Sequence, residues 1–326
     1  HRNADNSDWM SGMWGPGAGP GTVWKLSAAD NYTPVAFATI ALDGRANMGA
    51  ALGNIAFDRW NRQLYVSDLE TGMIHRISLE NGEDLGHYDH GAQGRPSFTN
   101  AQTGANLSLA PVAFNRATQP QVAGCPFGNF ASTPSCWNYA DFRRRVWGIG
   151  VRRDATSGEV RLFYSIWGSQ GFGHPAWAAA GDEQKNSVWS IKISSDGSFN
   201  TSSVRREFLL PDHFIEAADV LRAGPSHPVA DIAFPQLTEQ NAMVLAERGG
   251  VRNAGLGSPE AFANPHDSRV HRYQIDESGV WRWQGRYPIG RNVGADGQQT
   301  HANASGGVAF GLGYSDSRTS DTAQPD

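Results

Sequence analysis

The chain has 326 residues, a formal net charge of −5 and only 18% charged residues. No window approaches the roughly 18 apolar residues of a membrane helix, and no basic stripe extends beyond Arg143-Arg144-Arg145, a triplet that reads as a solvated strand start; this argues against a membrane span and a nucleic-acid surface. With 38 glycines, 11 tryptophans and no sustained helical period, the composition predicts one large all-β domain of short strands and tight turns.

Residues 1–20 read as an N-terminal extension or linker. Within them "GMWGPGAGPG" is glycine-rich but leads into a strand, so it offers no helix-end amides to a phosphate. The start at His1, without a leader, suggests processing or a segment of a longer chain. Residues 21–42 hold only two strand-like runs, Val23–Leu26 and Val35–Ala41. From Gly53 to Tyr88 the pattern is fuller. Asn54–Asp58, Leu64–Asp68, Ile74–Leu79 and Leu85–Tyr88 have strand composition, and Arg59–Gln63, Leu69–Met73 and Glu80–Asp84 carry turn chemistry, which predicts a four-stranded antiparallel meander.

This unit recurs. Its first strand, Asn54-Ile55-Ala56-Phe57, returns at Gly148–Val151, Asp231–Phe234 and Gly307–Phe310. Its third, Ile74-His75-Arg76-Ile77, returns at Val23–Leu26, Val188–Ile191 and Val270–Tyr273. Second strands fall at Val160–Ile166 and Ala242–Glu247, and fourth strands at Val204–Leu210 and Trp281–Ile289. The repeat predicts a β-propeller of four-stranded antiparallel blades over residues 21–314. Three blades are complete. A fourth is split, with the C-terminal strand completing the N-terminal blade and closing the ring. The count becomes five or six if a blade is hidden around Leu107–Phe114, within the inserted loop 91–145, or lies beyond Asp326. Residues 315–326 read as a polar tail.

The loop 91–145 carries the two cysteines, in "GCPFGNFASTPSCWN". Their shared loop predicts a Cys125–Cys136 disulfide and, with it, a secreted, periplasmic or cell-surface protein.

The residues "GNIAFD…QLYVSD…GMIHRI" resemble blades of the NHL-repeat, strictosidine-synthase and gluconolactonase-like propeller superfamily. The resemblance is specific over one blade, loose over residues 146–290 and absent over 91–145. It implies that first strands begin at a polar residue on a central channel. In lactonase members, channel-facing Asn, Asp and Glu hold a divalent cation, usually Ca2+, that polarises an ester or lactone. Asn54 and Asp231 occupy such positions here, whereas Gly148 and Gly307 fill the equivalent ones and no matching Glu is present.

The long segments 91–145, 167–186, 211–228, 249–268 and 291–306 are all expected to emerge on one face. They bring His174, His227, His266 and His301 there, with Asp182 and Glu183 nearby and Asp68 and Glu247 at the ends of second strands, as candidate binding groups. His75 and His271 share the third-strand position of Trp24 and Trp189 and read as packing residues. No nucleophile elbow, phosphate loop or zinc-protease motif occurs. Two readings follow. One is an exported binding or scaffold module that engages a protein, a glycan or a second copy of itself through this face. The alternative is a calcium-dependent lactonase or esterase-type hydrolase.

Overall fold

The computed structural model describes residues 18, 21–42, 45–46, 52–114, 140–168, 176–212, 227–235, 241–248, 268–288, 292–293, 299–300, 306–310, 312–314 and 320–325. Cys125, Cys136, His174, His266 and His301 lie outside these residues.

The chain is a β-propeller. It opens with the hairpin of β1 (Thr22–Lys25) and β2 (Val35–Thr39), then a short pair, β3 (Ala41–Leu42) and β4 (Arg45–Ala46). Blade I follows as β5 (Leu52–Asp58), β6 (Gln63–Asp68), β7 (Met73–Ser78) and β8 (Asp84–Asp89), paired antiparallel in sequence order. A further hairpin, β9 (Phe98–Asn100) and β10 (Asn106–Leu107), precedes blade II: β11 (Val146–Arg153), β12 (Val160–Ile166), β13 (Ser187–Ile193) and β14 (Phe199–Leu209). Blade III is β15 (Val229–Ala233), β16 (Ala242–Glu247), β17 (Arg269–Ile275) and β18 (Trp281–Pro288). Two short pairs end the chain, β19 (Asn292–Val293) with β20 (Gln299–Thr300) and β21 (Leu312–Tyr314) with β22 (Ser320–Pro325). The first strands β5, β11 and β15 stand side by side around the channel.

Strand periodicity explains why the blades stack. Side chains alternate between faces, and both faces of a blade are covered, so the strands read as nearly continuous apolar runs. In β12, Leu162 and Tyr164 join Tyr65, Ile74 and Tyr88 in the core between blades I and II. Phe163, from the same strand, points the other way and packs with Ile232, Met243, Leu245 and Trp281 between blades II and III. On the far side of blade I, Val66 and Ile77 meet Ala38 and Ile40 beside the first hairpin.

Three expectations need correcting. Residues 98–107 form no blade of their own: β9 pairs parallel with β14 at Arg205 and Arg206, widening blade II to six strands, with β10 outermost. The arginine triplet is no solvated strand start, because Arg144 and Arg145 are buried. Arg144 binds Thr71 O at 2.9 Å and pairs with Asp89 at 2.8 Å, while Arg145 Nε donates to Ala140 O at 3.1 Å. Arg144 fastens the approach to β11 onto blade I, and Arg145 folds that approach on itself. Finally, the expected ladder between 307–314 and β1 is not among the pairings of the described residues. Residues 306–310 run beside β15 instead, held by Val308 N donating to Asp231 Oδ2 at 2.8 Å.

Candidate functional site at the channel

Each first strand has a register shift near its start, between Leu52 and Ile55, Val146 and Ile149, and Val229 and Asp231. Such bulges leave a backbone group outside the ladder and re-aim the neighbouring side chain. A serine on the second strand serves this position in two blades. Ser67 Oγ accepts from Asn54 N at 2.8 Å and donates to Trp147 O of blade II at 2.5 Å. Ser165 Oγ accepts from Gly148 N at 2.9 Å and donates to Val229 O of blade III at 2.8 Å. The inner strands are thereby drawn close. A Cβ on Gly148 would stand 2.8 Å from Asp231 N, nearer than packed atoms allow.

Gly148 lets the inner strand of blade II lie against the blade III backbone at Asp231, and here polar groups of blades I and III meet. Asn54 Nδ2 donates to Asp231 Oδ1 at 2.7 Å, and both residues are half-buried. Asp231 Oδ1 also accepts from Ile232 N at 2.9 Å, and Oδ2 accepts from Val308 N. With about four lone-pair positions on a carboxylate, three are filled among the described residues and one remains on Oδ2.

This arrangement does not suit a hard cation, which takes six to eight oxygen ligands. Asn54 turns its N–H to the carboxylate while its Oδ1 accepts from Ile55 N at 2.7 Å, and three N–H donors already surround Asp231. The pair is a carboxylate held by amides.

Other candidates are engaged elsewhere. Asp68 is buried and caps its turn, accepting from Glu70 N and Thr71 Oγ1 at 2.9 Å each, and burial raises its pKa. Glu247 lies in an ion-pair network: His271 Nε2 donates to Oε1 at 2.5 Å, and Arg286 grips both oxygens at 2.6 and 2.8 Å. Burial alone would raise the Glu247 pKa, but His271 and then Arg286 hold it down to about 2. His227 is buried, its carbonyl accepting from Asn186 at 2.8 Å. Asp182 and Glu183 edge a narrow hollow with Arg143 and Lys185, where Glu183 pairs with Arg95. His75 and His271 are fully buried, and His75 Nδ1 lies 2.8 Å from Asp84 Oδ2.

The serine pair has a signal in the sequence that the strand pattern alone does not single out: "YVSD" and "FYSI" carry Ser67 and Ser165 at one strand position. Blade III has Ala246 instead.

Neither protein-family models nor curated proteins match the chain. Among solved structures it is similar to a putative 6-phosphogluconolactonase from Bacteroides uniformis, with 11% identity over 85% of this chain and 55% of that one and a TM-score of 0.34. A putative 6-phosphogluconolactonase from Bacteroides fragilis gives 12%, 85%, 55% and 0.32 in the same terms. A gluconolactonase from Xanthomonas campestris gives 14%, 82%, 80% and 0.26. The chain thus spans 55% of the length of the first two.

Proposed function

We propose that the chain is a hydrolase of lactones or related esters, working at the channel pair of Asp231 and Asn54. The meeting of a carboxylate and a carboxamide from different blades at 2.7 Å, at the heads of the innermost strands, carries this reading. The substrate class follows the resemblance of the first blade. Asp231, fixed by its amide donors, takes a proton from a water through the open position on Oδ2 as that water attacks the ester carbonyl. The C–O bond to the leaving alkoxide breaks, and the alkoxide regains the proton. Asn54 positions the carboxylate. Hydrolysis of glucono-δ-lactone and 4-nitrophenyl acetate by the purified chain tests this. Activity lost in Asp231→Asn with an unchanged melting temperature supports it; no turnover of either compound by the unmodified protein overturns it.

A second reading, the partner-binding module, draws on the loop-rich face. There Arg143–Asp141 at 2.8 Å, Lys185–Asp212 at 3.2 Å and the buried Trp177 tie down the described parts of the insertions. A protein or glycan partner captured by the unmodified chain but not by Arg143→Glu would favour it.

A further inference from the structure

Arg248 follows β16 directly and stands at the head of the innermost strand of blade III, where its backbone N–H donates to Pro228 O at 2.9 Å. Its side chain leaves blade III and lies over the Trp147 ring of blade II, with Cζ 6.0 Å from the ring centroid. The guanidinium therefore bridges the seam between the two blades at the loop-rich end of the channel. Two consecutive glycines connect it with the channel pair. A Cβ on Gly306 would meet Arg248 Cβ and Cδ at 3.4 Å, and a Cβ on Gly307 would lie 3.8 Å from Asp231 Oδ2. Consecutive Cα atoms are about 3.8 Å apart, so Arg248 and Asp231 flank one short stretch of backbone.

Arg248 has no counterion. Among the described residues its side chain makes neither an ion pair nor a hydrogen bond. Arg144, by contrast, pairs with Asp89 and Arg286 with Glu247. Glu247, the sequence neighbour of Arg248, is already held by His271 and Arg286. Arg248 is half-buried, and of its nitrogens only Nε is sealed from solvent. The outer edge of the guanidinium, its two Nη groups, is therefore the part a ligand can reach. The aromatic ring beneath supports the cation without neutralising it.

We infer that Arg248 seats the carboxylate of a small monoanionic acid at the mouth of the channel. The two Nη groups offer parallel N–H donors in one plane, the arrangement that matches the two oxygens of a carboxylate. One guanidinium balances one negative charge, and the Asp231 carboxylate close by repels a second, which selects a carboxylate over a phosphate dianion. The inference rests on the placement of Arg248 and not on the hydrolase reading, because the acid is bound and not transformed.

Saturation-transfer difference NMR on the purified chain tests it, with sodium L-lactate and sodium D-glycerate as probes and propane-1,2-diol and glycerol as their neutral counterparts. At least one acid should receive saturation, its neutral counterpart should receive none, and equimolar inorganic phosphate should not displace the acid. Arg248→Gln should weaken binding at least about tenfold, since hydrogen bonds between charged groups are lost. Arg248→Lys keeps the charge without the planar fork and should restore binding in part. Asp231→Asn, which ends turnover on the hydrolase reading, should bind the acid as well or better, so the two readings fail separately. The comparison of acid with diol uses the unmodified chain and stands even where a variant does not fold. Saturation of neither acid, equal saturation of the diol, displacement by phosphate, unchanged binding in Arg248→Gln or weaker binding in Asp231→Asn each overturns the inference.

Discussion

Ser165 hands its hydroxyl proton to the carbonyl of Val229 in the next blade, 2.8 Å away, while receiving the backbone N–H of Gly148. One side chain thus satisfies the bulge of its own blade and fastens the neighbour. Ser165→Ala leaves a buried donor and a buried acceptor unmatched, at a cost of about 1–3 kcal/mol. A lower urea midpoint with an unchanged slope is the expected result, and Ser67→Ala should behave alike.

Gly148→Ala is expected to act on the same junction from the other side. The added methyl would press on the backbone of blade III near Asp231, 2.8 Å away, and overpacking of this kind costs about 1–3 kcal/mol. If the site is catalytic, activity should fall more steeply than stability, because the methyl presses on the backbone amide that carries the Asp231 side chain. Comparing thermal melts with lactone turnover separates the two effects.

Acid should weaken blade III through Glu247. Its folded pKa of about 2 lies below the ordinary 4.5, so its contribution is whole above about pH 4.5 and is lost as pH falls toward 2. The shift corresponds to about 3 kcal/mol. Glu247→Gln should flatten this acid limb. At neutral pH it should cost about 3–5 kcal/mol, because Arg286 loses its buried partner. Denaturant titrations of both proteins at pH 7 and pH 3 check both claims.

Trp189 is 3% exposed and meets His90 and Phe98 edge-on, each with ring centroids 4.7 Å away. Trp189→Ala should therefore cost about 3–5 kcal/mol as a large-to-small core change. A melting temperature close to that of the unmodified chain would contradict the packing described.

The blades were legible because their strands obey a two-residue period and their turns use local chemistry. Val160–Ile166 and Ala242–Glu247 were placed to the residue, and the alignment of Asn54, Gly148 and Asp231 matches the ladders, since each sits opposite the same second-strand position. What lay hidden depended on contacts distant in sequence. Nothing local in "FRRRV" shows that Arg144 will cross to Thr71 and Asp89, and nothing in "FTN" shows a strand that joins Arg205 and Arg206. The site was half legible. Which residues converge could be read from the repeat, but the direction of the Asn54 amide is set by the three-dimensional approach of Asp231.

The connector leaving β8 also has a mechanical meaning. It departs from the rim of blade I and, through β9, is stitched lengthwise onto β14 at the rim of blade II before the chain returns to the inner strand β11. Pulling these two blades apart at their rims would load that parallel ladder along its length, where its bonds resist together, instead of one at a time as in a zipper. At the seam between blades II and III the same connector adds, among the described residues, a single side chain, Gln102, whose Nε2 donates to Glu207 O at 2.8 Å and to Trp281 O at 3.1 Å.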